Sequence, residues 1–121
     1  AENIRKAGFE HFNVDVMYGF SGQGNDDVEA TLHHVIDEVN PDFITLYPMR
    51  YKGTVIEGKS KDVYARQLTD QCNIAYQMLI SGGYDIRPGK NTCSRIPSND
   101  GLSDYLHHRV LHGMSYLGFG L

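Results

Sequence analysis

Phe12-Asn13-Val14-Asp15-Val16-Met17-Tyr18, followed by Gly19-Phe20-Ser21-Gly22-Gln23-Gly24, reads as a strand that runs straight into a glycine-rich loop. The first stretch is rich in strand formers and alternates, so Val14, Val16 and Tyr18 share one face while Asn13, Asp15 and Met17 share the other. Downstream, Asp26 with Glu29 three positions on has the spacing of a capping box. It opens a helix carrying Val28, Leu32, Val35, Ile36 and Val39 on one side and ending near Asn40, ahead of Pro41. Phe43 to Tyr47 is a second strand. Strand, loop, helix, strand over about 30 residues is the size of one right-handed βαβ unit, which predicts parallel neighbours.

The pattern continues outward on both sides. Upstream, Ala1 to Ala7 reads as the last turns of a helix, with Gly8 where a left-handed cap is needed. Downstream, Asp62 to Ser81 places Leu68, Cys72, Ala75 and Leu79 at helical spacing and stops at Gly82-Gly83. A strand-like run follows at Tyr84 to Arg87; beyond Pro88 the chain reads as loop until a short helix over Asp104 to Leu111. The fold class expected is α/β, with helices packed on the sheet through Leu32, Ile36, Leu68 and Leu79.

The chain has 121 residues, 40% of them hydrophobic, and a net charge of -4 with both signs interspersed. The length suits one domain over residues 1–121. The charge lacks the clustered basic surface that a nucleic-acid partner needs, and no apolar run approaches a membrane span. The N-terminus shows no targeting segment, so a cytoplasmic protein is expected. Cys72 and Cys93 stand far apart and read as reduced thiols.

Four features could carry chemistry. Loops after parallel strands are where α/β proteins bind ligands, yet Gly19, Gly22 and Gly24 do not fit G-x-G-x-x-G; a structural tight turn and a ligand loop both remain open. Asp15 is a carboxylate in an apolar strand and needs a partner. That partner is either internal, such as Asn13 or a backbone group, or a ligand hydroxyl. His108 and His112 stand at i, i+4 with His107 beside them, but no third ligand has a telling spacing, and no metal site is expected. His33 and His34 point apart on a helix and rank lower.

The string Asn13-Val14-Asp15-Val16-Met17-Tyr18-Gly19-Phe20-Ser21-Gly22-Gln23 resembles the N-[IV]-D-L-[IM]-Y-G-L-P-G-Q signature of the oxygen-independent coproporphyrinogen III oxidase family of radical S-adenosylmethionine enzymes. Ala7-Gly8-Phe9, Pro41-Asp42-Phe43-Ile44-Thr45-Leu46-Tyr47, Gly53-Thr54 and Gly83-Tyr84 fit the family's order around it. Tyr116-Leu117-Gly118-Phe119-Gly120 resembles the start of its Y-L-G-x-G-x-G-A segment. Ser21 in place of proline and Gly24 in place of threonine depart from the pattern.

The resemblance implies a partial (β/α) barrel of six strands, of which this chain would supply about the fifth and sixth with the helices that follow. The other half of the barrel would be the chain's partner. It also implies S-adenosylmethionine and a [4Fe-4S] cluster held by an upstream C-x3-C-x2-C motif, to which neither Cys72 nor Cys93 belongs; neither group is expected on this chain alone, which would by itself be inactive. In the parent, the cluster would cleave the cofactor to a radical that oxidises a porphyrin-type substrate, coproporphyrinogen III, with loss of carbon dioxide. Haem chaperones and haem-degrading radical methyltransferases on the same scaffold are the alternatives. By position, Asp15 would contact the ribose hydroxyls and Met17 the adenine. Arg50 would offer mainly backbone to the adenine, and Gly19 completes the cofactor-binding candidates. An open sheet edge could also pair two copies into a homodimer.

Overall fold

The computed structural model describes residues 1–99 and 104–115, and for 104–107 the backbone alone. Helix α1 covers Glu2–Lys6, strand β1 Asn13–Tyr18 and helix α2 Asn25–His33, which continues as a π-helical stretch over His34–Val39. Strand β2 covers Phe43–Pro48, a 3-10 turn Glu57–Asp62, helix α3 Ala65–Ser81, strand β3 Thr92–Ser94 and helix α4 Asp104–His112. The sheet order is β1-β2-β3. β1 and β2 are parallel with Asp15 opposite Thr45 and Met17 opposite Tyr47, as the βαβ spacing predicts. The segment Tyr116–Gly120 lies outside the described residues.

One face of the sheet carries the core. Val16, Tyr18, Ile44 and Leu46 are buried against Val28, Leu32, Val35 and Ile36 of α2 and its continuation, and against Ala75 and Leu79 of α3. Leu68 and Cys72 are half-buried at its rim. The helix stripe runs unbroken into the π-helical stretch, where the Asn40 N–H reaches back five positions to the Val35 carbonyl at 2.9 Å. Asn40 then takes a left-handed conformation, φ 49°, and Pro41 forbids further helix.

Three local expectations change. The α2 cap is Gly24 rather than Asp26: the Asp27 carboxylate accepts the Gly24 N–H at 2.8 Å, and glycine has no side chain to return the bond. The acids Asp27 and Glu29 both stand three positions after a possible cap, so the frame is ambiguous by two positions. The second long helix starts at Ala65, because the residues before it close a tighter 3-10 turn over Glu57–Asp62.

The third change matters most for the site. Tyr84 to Arg87 is not a strand beyond a single bridge from Asp85 to Ser94. The third strand lies in the stretch read as loop, at Thr92–Ser94, antiparallel to β2 with Thr45 opposite Thr92. Arg87-Pro88-Gly89-Lys90 is the turn that brings it back: Lys90 N–H bonds the Arg87 carbonyl at 3.1 Å and Gly89 holds φ 77°. Pro then Gly with positive φ at the second position is a type II turn. A strand of three residues is too short to show periodicity, and the fully buried Cys93 is its one apolar anchor.

Candidate functional site

The face of the sheet opposite α2 and α3 presents Asn13, Asp15 and Met17 from β1, with the buried Phe43 and Thr45 and the exposed Tyr47 from β2, and Thr92 and the buried Ser94 from β3, beside them by register. The alternation expected for β1 is therefore present: Val16 and Tyr18 are buried, whereas Asn13, Asp15 and Met17 are exposed. Asp15 is not a buried charge. Its Oδ1 accepts the Asn13 side-chain N–H at 2.7 Å, and no described residue donates to Oδ2.

The bonds extend across all three strands. The Thr45 hydroxyl stands 3.0 Å from Asn13 Oδ1, and Thr92 Oγ1 stands 3.1 Å from Thr45 Oγ1. Thr45 is 5% exposed, so this chain joins an exposed carboxylate to a buried hydroxyl. Alternation points to Asp15; Thr45 follows once the parallel register is known, and Thr92 only once β3 is recognised.

At the carboxyl ends of β1 and β2 lies an open groove lined by Met17, Tyr47, Met49, Arg50, Thr54 and Asn91. Met17 and Arg50 thus share one concavity, and Asp15 lies two positions before Met17 on the same strand face. Gly19 does not line it. The amide of Gly19 is taken twice, by Gln23 Oε1 at 2.8 Å and by Gln71 Oε1 at 2.9 Å. Phe20 N–H also goes to Gln23 Oε1, and Ser21 N–H goes to the Tyr51 hydroxyl at 2.6 Å. That hydroxyl donates in turn to the Gly19 carbonyl. Gln71 Nε2 and Gln67 Nε2 both donate to the Gln23 carbonyl.

The loop is consequently a clamped turn in which the amides of Gly19, Phe20 and Ser21 face protein partners. Gly19 is required there: it holds φ 85°, and a Cβ would run into Leu68 Cδ2. Gln71 is fully buried within the apolar stripe of α3, and a polar residue inside such a stripe was the signal that could have exposed the clamp.

The thiols do not suit a cluster. A [4Fe-4S] site needs several converging thiolates, and the two cysteines are a half-buried one on α3 and a fully buried one on β3. Burial pushes the Cys93 thiol up to about 11 and so disfavours the thiolate that binds metal. Among the described residues no three His, Cys, Asp or Glu side chains converge as metal ligands. His108 and His112 pair along α4 with ring centroids 5.6 Å apart. Nor is any described helix long and apolar enough to cross a membrane.

No protein-family model matches this sequence, and no curated protein does. Among solved structures, the chain is similar to coproporphyrinogen III oxidase (HemN) from Escherichia coli, a radical SAM enzyme, with a TM-score of 0.66 at 23% sequence identity. The match covers 82% of this chain and 23% of that one. The likeness shows the fold: an α/β portion of a partial (β/α) barrel, with its helices on the outer face. The chain spans about a quarter of the length of the enzyme it resembles.

Proposed function

We propose that this chain forms about the fifth and sixth strands of the partial barrel of a radical S-adenosylmethionine enzyme, and that the sheet face opposite α2 and α3 holds the cofactor's adenosyl group. The observation that carries this reading is the position of Asp15. It is an exposed carboxylate on one face of a parallel strand pair, with one oxygen to which no described residue donates, two positions before a methionine that lines the adjoining groove.

A carboxylate so placed accepts hydrogen bonds from a vicinal diol, as the ribose of S-adenosylmethionine offers. Met17 gives the adenine a polarisable apolar surface. Arg50 lies in the same groove and presents backbone to the base. Gly19 contributes by permitting the turn that lets the chain leave β1 beneath this groove. The cofactor, bound with an iron-sulfur cluster held elsewhere in the parent, supplies a hydrogen-abstracting radical. The fold of this chain is similar to part of coproporphyrinogen III oxidase (HemN), and a porphyrin-type substrate is the corresponding proposal for the parent.

In that full-length parent, Asp15→Asn should raise the dissociation constant for S-adenosylmethionine by at least about tenfold, equivalent to roughly 1.4 kcal/mol, with the melting temperature unchanged. Calorimetric titration and a thermal melt on the same variant decide the matter. Unchanged affinity with a lowered melting temperature would make Asp15 a purely structural residue and overturn the reading.

A further inference from the structure

We infer that Thr92, Thr45 and Asn13 form a directed hydrogen-bond chain that orients Asp15 for its ligand, which makes these three residues positioning residues of the site; the inference rests on the cofactor reading above. The direction follows from donor inventory. A carboxylate has no proton to give, so Asn13 must turn its NH2 toward Asp15 Oδ1, 2.7 Å away. That choice turns the Asn13 carbonyl oxygen toward Thr45, whose single hydroxyl proton is then spent on it at 3.0 Å. Thr45 is left only with lone pairs for its other neighbour. Thr92 must therefore donate to Thr45 Oγ1 across 3.1 Å.

The chain has one polarity from end to end, and each bond polarises the next toward the carboxylate. It also explains a buried threonine at the centre of β2: a valine would fill the volume but could neither accept from Thr92 nor donate to Asn13. Without Thr45, the Asn13 amide loses its second tether and is held by the Asp15 carboxylate alone, so the pair can swing together away from the position the ligand needs. With the chain intact, Oδ1 is held by Asn13, leaving Oδ2 for a ligand hydroxyl.

The test uses the full-length protein and two probes, S-adenosylmethionine and its 2′,3′-dideoxyribosyl analogue, which has no hydroxyls for Asp15. Thr45→Val and Thr92→Val should each weaken S-adenosylmethionine binding about fivefold while leaving the analogue's affinity unchanged, and Thr45→Ser should restore it. Asn13→Leu, at an exposed position, gives the same reading should the buried variant fold poorly. Equal weakening toward both probes, with a lower melting temperature, would reduce the chain to a structural role and overturn the inference. Wild-type affinity in all the threonine and asparagine variants, while Asp15→Asn still binds weakly, would overturn it and leave the cofactor site standing. Wild-type affinity in Asp15→Asn would remove both.

Discussion

Gln71 shows how one side chain can fix a loop that its own neighbours do not. Its amide oxygen takes the Gly19 N–H and its nitrogen reaches the carbonyls of Gln23 and Gly24, all inside a fully buried position. Leucine at this site would match the surrounding stripe in polarity but would take one of two acceptors from the Gly19 N–H and one donor each from the Gln23 and Gly24 carbonyls, the former keeping only Gln67. Gln71→Leu should therefore cost on the order of 1 to 3 kcal/mol, read as a lowered denaturation midpoint. An unchanged midpoint would show that water replaces the amide. At this scale the sequence was partly legible: alternation alone placed Asp15 and Met17 on the correct face. It could not say that the carboxylate is exposed, since burial depends on which face the helices cover.

At the scale of elements, the parallel pair and its connecting helix were legible because each has a full period of pattern to read. The third strand was not. Thr92–Ser94 is held to the sheet by register with β2 and by the turn at Pro88-Gly89, neither of which leaves a periodic trace. This element supplies the last hydroxyl of the chain toward Asp15, so its stability matters to the site. Gly89→Ala meets no neighbouring atom, but φ 77° is costly for an L-residue. The substitution should lower stability by about 1 kcal/mol and speed hydrogen exchange at Asp85 and Ser94, whose amides cross-bond the hairpin. Equal exchange in both proteins would show that β2 pairing alone holds the strand.

For the whole molecule, the core is the place where titration and folding meet. Burial raises the Cys93 thiol from 9.0 to about 11. Burial likewise raises the Tyr18 phenol well above its ordinary range, with the Cys72 thiol beside it adding to the effect, and raises Tyr76 and Tyr84. For each group the unfolded chain ionises first as pH rises, so it binds fewer protons than the native state and stability must fall. The loss should begin near pH 9, where the unfolded thiol titrates, and grow through pH 11, with Cys93 alone contributing on the order of 2 kcal/mol. Melting temperatures should be flat from pH 7 to 8.5 and decline beyond it. Cys93→Ser should flatten the start of that decline, and a profile insensitive to the substitution would assign it to the tyrosines alone.

The glutamine clamp also orders events in time. Gly19 and Gln71 are 52 residues apart, and Tyr51 reaches Gly19 across 32. The amides of Gly19 and Phe20 have no local hydrogen-bond partner beyond Gln23, and the Ser21 amide has only the distant Tyr51, so the turn cannot take its final shape when its own segment emerges. It must wait until α3 has formed and docked, and closing so long a chain segment is slow compared with helix growth. The groove above the turn is consequently among the last parts of this chain to be assembled, and ligand affinity should lag behind helix formation during refolding.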